Sequence, residues 1–413
     1  MHAWADEPAC VWRAQLNETI PTLLRGAADV GATGIMVDVW WGLCERQPNE
    51  YNFDGYLDLM QQCKQLGLKV QAVMSFHACG GNVGDSVNVP LPQWVLDLQD
   101  SVPELFYRDK RGDASTEYVS LSCDFRPVFP CGPTAAAAPE TGGPSKRTAV
   151  EVYTELMAAF RDASKDLIAD GTLEEIQVGC GPCGELRYPS YPLTPREHFP
   201  AGWQWPGLGE VQCYDAGMLA ALKASLARDA PPSNMGSYND FPEDVSFWRE
   251  PPARRRPRIP EGWCGLGGHT TPVGRMLRHL HKTVTRKQTP PVPEASRVAG
   301  EEEETYHQGS GEAFLAWYRD QLVAHGAAVT SAAREVFGPD MRLACKVSGI
   351  HWLRGHDSQV PWPCAHARSP APTRSPAPAR SPALVQGPTG RSLLDSPPSP
   401  WLLLRMPMTE RMF

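Results

Sequence analysis

Short apolar runs alternate with amphipathic stretches along this chain, and that alternation narrows the folds open to it more than any other feature. Pro21 to Val30 predicts a helix with Leu23, Leu24 and Ala27 on one face, Pro21 in its first turn and Gly31 as its stop. The run Gly34-Ile35-Met36-Val37-Asp38-Val39-Trp40 is short, apolar and partly β-branched, so it reads as a buried strand. Phe53, Tyr56, Leu57, Met60 and Cys63 recur at helical spacing before Gly67, and a second strand follows over Val70 to Phe76. Tyr153, Leu156, Met157, Phe160 and Leu167 mark a helix stopped by Gly171, and Ile176 to Val178 begins a third strand. Leu315, Tyr318 and Leu322 mark another helix, leading to a fourth strand at about Leu343 to Ser348. Parallel strands joined by crossover helices make this an α/β chain, either doubly wound or closed into a (β/α)8 TIM-type barrel. Periodicity alone does not choose between them.

At 413 residues the chain suits one barrel with insertions or two ordinary domains. Its charges sum to 39 − 47 = −8, so no basic surface argues for nucleic acid or an anionic membrane. The basic run Arg254-Arg255-Arg256-Pro257-Arg258 sits among prolines and reads as a solvated loop. No stretch approaches the roughly 18–20 apolar residues of a membrane helix. Asp6 and Glu7 stand where a secretory leader would have an apolar core, and the opening is not the Arg/Ser-rich, acid-poor kind of a transit peptide. Twelve scattered cysteines suit reduced thiols, so the chain is expected to be intracellular, in plastid or cytoplasm.

Proline shows where the regular pattern breaks. There are 41, about twice the usual share of ~5%. Pro130 to Ser145 reads as a loop insertion, and Glu250 to Glu304, with the arginine run and the acidic block Glu301 to Glu304, as disordered. Residues 353–413, with Arg-Ser-Pro-Ala repeats at Arg368, Arg374 and Arg380, read as a disordered low-complexity tail. The barrel-like region is therefore residues 1–352, interrupted at about 130–145 and 250–304.

Four segments carry chemistry. Gly179-Cys180-Gly181-Pro182-Cys183-Gly184-Glu185-Leu186-Arg187-Tyr188-Pro189-Ser190-Tyr191-Pro192 follows a strand directly, so Glu185 is expected at a strand's C-terminal end, where barrel enzymes hold their catalytic groups. A half-apolar cleft there would raise its pKa and suit a general acid. Val37 to Gly42 supplies Asp38, with Trp40 and Trp41 as aromatic faces able to pack on an apolar ligand surface. Ser75 to Asp85 supplies His77 and Asp85 among glycines 80, 81 and 84, which suit a mobile lid. Lys346-Val347-Ser348-Gly349-Ile350-His351-Trp352 ends another strand. Taken singly, each has an ordinary reading: a capping aspartate, a core histidine, a glycine turn, a surface lysine.

Together, in this order, these segments resemble the β-amylase family from about Gly31 to Trp352, skipping the two insertions. The smaller strings Pro92 to Asp97 and Gln212 to Asp215 agree. The resemblance implies a (β/α)8 barrel that releases maltose from the non-reducing ends of α-1,4-glucans (starch, maltooligosaccharides) by inversion, with no metal and no organic cofactor. It makes Glu185 the general acid, and Asp38, His77, Asp85, Lys346 and His351 glucan-binding residues; it names no protein partner.

Inversion needs a second carboxylate roughly 6.5–9.5 Å away to activate water. In the family that glutamate lies downstream of the Lys…His-Trp segment, in an Ala-Gly-Glu-Asn-Ala-Leu type motif, and none follows Trp352 here. Arg297-Val298-Ala299-Gly300-Glu301 looks similar but precedes Lys346 and runs into Glu302 to Glu304, so the base role is not placed on Glu301. The family's downstream threonine and arginine are also missing, and so is its opening strand, for which Cys10-Val11-Trp12 is a weak candidate. The abrupt change after Trp352 is what a shifted reading frame would produce.

Four strands can be counted where closure takes eight, and an open sheet leaves edge groups unpaired, so the chain is expected to fold poorly unless a partner covers the edge. The alternative reading is a β-amylase-like chain that binds glucan, or another amylase, without hydrolysis. Cys180-Gly181-Pro182-Cys183 also matches a thioredoxin-like redox motif, although the prolines after it oppose the required helix. A regulatory disulfide between these two thiols is a further expectation.

Overall fold

The computed structural model describes residues 9–80, 88–132, 146–189, 208–240, 244–248 and 304–347, with side chains from residue 19. Its first element is α1 (Ala9–Asp29), which begins a full three turns earlier than the sequence pattern indicates. Cys10 to Trp12 are therefore helical and not an opening strand, and Pro21 lies in the helix interior. A proline there costs roughly 3 kcal/mol. Burial of Ile20 and Leu24, with Ala27 one turn on, offsets that at roughly 1.5–3 kcal/mol per large side chain. Leu23, expected on this stripe, is 44% exposed, because the buried spacing is 20, 24, 27.

The strands β1 (Gly34–Trp40) and β2 (Lys69–Ser75) flank α2 (Asp54–Gln65), which buries Tyr56, Leu59, Met60 and Cys63. An antiparallel hairpin of β3 (Phe106–Arg108) and β4 (Ala114–Val119) follows, then α3 (Ala149–Ala163) and β5 (Leu173–Val178). Thr148 and Glu151 form a reciprocal capping box that starts α3. After β6 (Glu185–Leu186) come α4 (Ala216–Leu226), the long α5 (Gly309–Phe337) and β7 (Arg342–Val347).

The main sheet has the order β1-β2-β5-β7-β6, parallel at every junction. Each long strand thus lies beside the next long one in the chain, with helices between them, as in one side of a (β/α)8 barrel. The short β6 is a fifth strand that the sequence pattern did not reveal; two residues are too few to show a period. Residues 133–145, 249–303 and 348–413, which hold most of the proline-rich segments, lie outside the described residues. Glu304, the last residue of the acidic block, is described, and it pairs with Arg228 through both carboxylate oxygens.

The core is aromatic. Phe76 stacks on Tyr153 at 4.3 Å, and Tyr153 meets Trp41 edge-on at 5.6 Å. Trp41 is fully buried and donates its indole N–H to Glu45, 2.7 Å away. Trp40 is buried too, so both rings pack inward and not out to solvent. The strand turns directly into a short helix at Trp41, which swings that ring into the core.

Asp215 caps α4, accepting from the Met218 amide at 3.0 Å and from the hydroxyls of Ser120 and Ser122. Burial outweighs these bonds and pushes its pKa up to about 6. The folded state therefore holds this proton more tightly than the unfolded one. The resulting stability is complete below about 3.8, the ordinary value, and is lost as pH rises through about 6. Across that window the urea midpoint of the protein is expected to fall relative to that of Asp215→Asn; parallel pH curves for the two would contradict the assignment.

Candidate active site

The strand register gathers the chemistry at one end of the sheet. β6 pairs with β7 so that Glu185 stands opposite Lys346. Lys346 Nζ lies 3.4 Å from Glu185 Oε1 and 3.4 Å from the Cys183 carbonyl oxygen. Arg187 Nε donates to the other oxygen, Oε2, at 2.9 Å. The Glu185 side chain is 19% exposed. Among the described residues its direct partners are two cations, and residues 190–192 of the stretch expected to line a half-apolar cleft lie outside them. Just past β6 the chain bends so that the Arg187 amide donates to the Glu185 carbonyl at 2.9 Å, which brings Arg187 back to the side of Glu185, and Lys346 arrives from the adjacent strand.

The turn before Glu185 is set by backbone conformation. Cys183 and Gly184 adopt positive φ of 54° and 71°. A Cβ at Gly181 would come within 2.7 Å of the Arg187 carbonyl oxygen, so the turn can close only around glycine. A Cβ at Gly184 would lie 3.4 Å from His77 Cε1, which places the turn against the His77 ring. His77 is buried, with its ring edge-on to Trp40 at 5.0 Å. At the end of β1, Asp38 Oδ1 accepts from Ser75 Oγ at 2.8 Å. Glu185, Lys346 and His77 are thus brought together directly or across one glycine, and Asp38 stands on β1 at the far side of the sheet, three strands from Lys346. Asp85 and His351 lie outside the described residues.

Sequence reading missed the groups that hold this turn. Glu117, on β4, accepts the Cys183 amide at 3.2 Å, while its own carbonyl accepts from the Ala78 amide at 2.7 Å. It ties the turn to the chain just after His77. Burial pulls the pKa of Arg187 down, but Glu117, Cys183 and Glu185 together outweigh it and leave the guanidinium above its ordinary value. From α5, His325 places Nδ1 2.8 Å from Asp124 Oδ2 and Nε2 3.2 Å from the Cys180 carbonyl oxygen. The Tyr118 hydroxyl is 3.4 Å from the same Nε2. Arg187 could have been read from its place in the motif; Glu117 and His325 carry no local signal.

Pro182 to Gly184 form one short 3-10 turn that passes straight into β6, so the Cys-Gly-Pro-Cys segment does not open the helix a thioredoxin-like centre uses. Its two sulfurs are engaged separately. Cys183 Sγ lies 3.4 Å from Arg187 and 3.7 Å from Glu117, and Cys180 Sγ lies 3.7 Å from Cys345 Sγ. Among the described residues, no group of three or more His, Cys, Asp or Glu side chains is arranged to hold a metal ion.

A parallel sheet with outer helices, and a carboxylate at its C-terminal edge, is the layout in which barrel enzymes carry their active groups. The comparisons make the class specific. The model of glycosyl hydrolase family 14 matches residues 13–249 and 281–367, and the chain belongs to that family. It is 40% identical over 355 residues to "Beta-amylase 1, chloroplastic" of Oryza sativa subsp. japonica, covering 84% of this chain and 53% of that protein. It is 35% identical over 351 residues to "Beta-amylase 5" of Arabidopsis thaliana, covering 83% of this chain and 56% of that one. The chain spans about half the length of the curated relatives it matches. The crystal structure of the catalytic domain of a β-amylase from Paenibacillus polymyxa shares its fold, with a TM-score of 0.51 and 24% identity over 83% of this chain and 65% of that one.

The His325–Asp124 pair is buried at both ends. Removing one partner of such a hydrogen-bonded pair leaves the other buried and unsatisfied, at a cost of about 1–3 kcal/mol. His325→Leu is expected to lower the urea unfolding midpoint accordingly, and an unchanged midpoint would show that the pair does not hold the fold.

Proposed function

We propose that this chain binds α-1,4-glucan across the C-terminal ends of β1, β2 and β7 and the start of β6, and that Glu185 protonates the glycosidic oxygen there in a β-amylase-type inverting hydrolysis. The observation that carries this reading is the placement of Glu185 on a strand end, within reach of Lys346 and one glycine away from His77. Family membership supports it. Asp38, His77 and Lys346 are polar groups of the kind that hold sugar hydroxyls, and Asp85 and His351 complete the expected set. Release of maltose also needs a base to activate water on the opposite face of the sugar, at roughly 6.5–9.5 Å from the acid. No residue of this chain is assigned that role.

A second reading, glucan binding without cleavage, is favoured by one detail. Both oxygens of Glu185 are engaged by cations, Oε2 by Arg187 and Oε1 by Lys346, so proton donation requires one of them to withdraw. Maltose release from soluble starch, measured beside binding of a maltooligosaccharide, separates the two. Under the hydrolytic reading Glu185→Gln reduces release by about 10²–10⁴-fold, the usual worth of a general acid, and leaves binding within a few-fold. Binding with no release by the unaltered chain supports the second reading, and the absence of both rejects each of them.

A further inference from the structure

Cys180 and Cys345 come from segments 165 residues apart, yet their sulfurs lie 3.7 Å from each other. Cys345 pairs in register with Val178, two residues before Cys180, so neighbouring parallel strands deliver the two thiols to one point. Cys180 is buried and Cys345 is exposed. We propose that these two cysteines are an oxidisable pair in which Cys345 attacks and Cys180 resolves, and that their disulfide fastens the Glu185 turn to β7 beside Lys346. The partner of Cys180 is then Cys345, not its motif neighbour Cys183.

The two sulfurs differ in the way such a pair requires. The Cys345 thiol is pushed down to about 7, first by its hydrogen-bonding contact with Cys180 and then by the nearby His325, against the opposing effect of burial. The same contact, together with burial, raises Cys180; Cys345 is the exposed sulfur, so an oxidant reaches it first and the buried Cys180 is left to resolve. Three other described thiols are less suited. Cys63 and Cys123 are buried and pushed up to about 12, and Cys183 is raised to about 11, chiefly by burial.

Hydrogen peroxide is a sufficient oxidant. The Cys345 thiolate attacks one peroxide oxygen, the O–O bond breaks, and the departing hydroxide takes a proton to form water. The Cys180 sulfur then displaces hydroxide from the resulting sulfenic acid, losing its proton to form a second water. Two thiols supply two electrons and one peroxide is consumed. Closing the gap to a sulfur–sulfur bond of about 2.05 Å falls mainly to the exposed Cys345 side chain.

The covalent bond is the readout, so the test does not depend on glucan hydrolysis. Trypsin frees Cys345 on the peptide Leu343–Lys346 and leaves Cys180 and Cys183 together on Asp166–Arg187. After brief peroxide treatment of the full chain and digestion without reductant, mass spectrometry is expected to find these two peptides joined. Cys183→Ser should keep the link. Cys180→Ser should abolish it and leave Cys345 as a sulfenic acid that a 1,3-diketone reagent traps. In urea the links are expected to scatter over the twelve cysteines. Closure of Asp166–Arg187 on itself, a Cys345 that stays reduced while other thiols oxidise, or the same scatter in native buffer would each overturn the proposal.

Discussion

The imidazole of His325 is the point on which the site's architecture rests. It stands within hydrogen-bonding distance of the Asp124 carboxylate beyond the hairpin, the Tyr118 hydroxyl on β4 and the Cys180 carbonyl of the turn that carries Glu185. Three separate parts of the chain thus meet on one buried ring of the long helix α5. Buried polar groups are costly unless each is paired, so this junction admits few alternative arrangements. The turn inherits that restriction.

From the other side the turn is held by Glu117, whose backbone and side chain serve different masters: the carbonyl receives the amide of Ala78, and the carboxylate receives the amide of Cys183. The segment bearing His77 and the turn bearing Glu185 are therefore set relative to each other by one residue. Lys346 closes the third side, reaching both the carboxylate of Glu185 and the carbonyl of Cys183. The cations around Glu185 follow from backbone geometry: one comes from the bend just past its strand and the other is its register partner. The sulfur pair lies just below, so oxidation there would act on the same turn.

Much of the frame was legible in the residue pattern. The Gly34–Trp40 strand, the helix around Tyr56 and Met60, and the strands ending at Ser75 and Val178 follow from apolar spacing, since each buries a face that its period defines. The motif around Glu185 was legible because its glycines answer to positive φ and close approach, which are local demands. The early start of α1 was not, because Pro21 signals a first turn locally and only packing of Ile20 and Leu24 overrides it. Trp40 and Trp41 misled for a similar reason: a tryptophan serves a sugar face or a core equally well by type, and the short helix at Trp41 decides for the core.

By itself, then, the sequence determined the parallel α/β frame, the family, and which carboxylate stands at a strand's end, because those depend on periodicity and on short-range backbone needs. Tertiary structure decided what surrounds that carboxylate. The positions of Arg187 and Lys346 on either oxygen, the approach of His77 to Gly184, and the meeting of Cys180 with Cys345 all arise from register between strands distant in the chain. Electrostatic and redox character depends on separations of a few ångströms, and those are fixed only when the strands align.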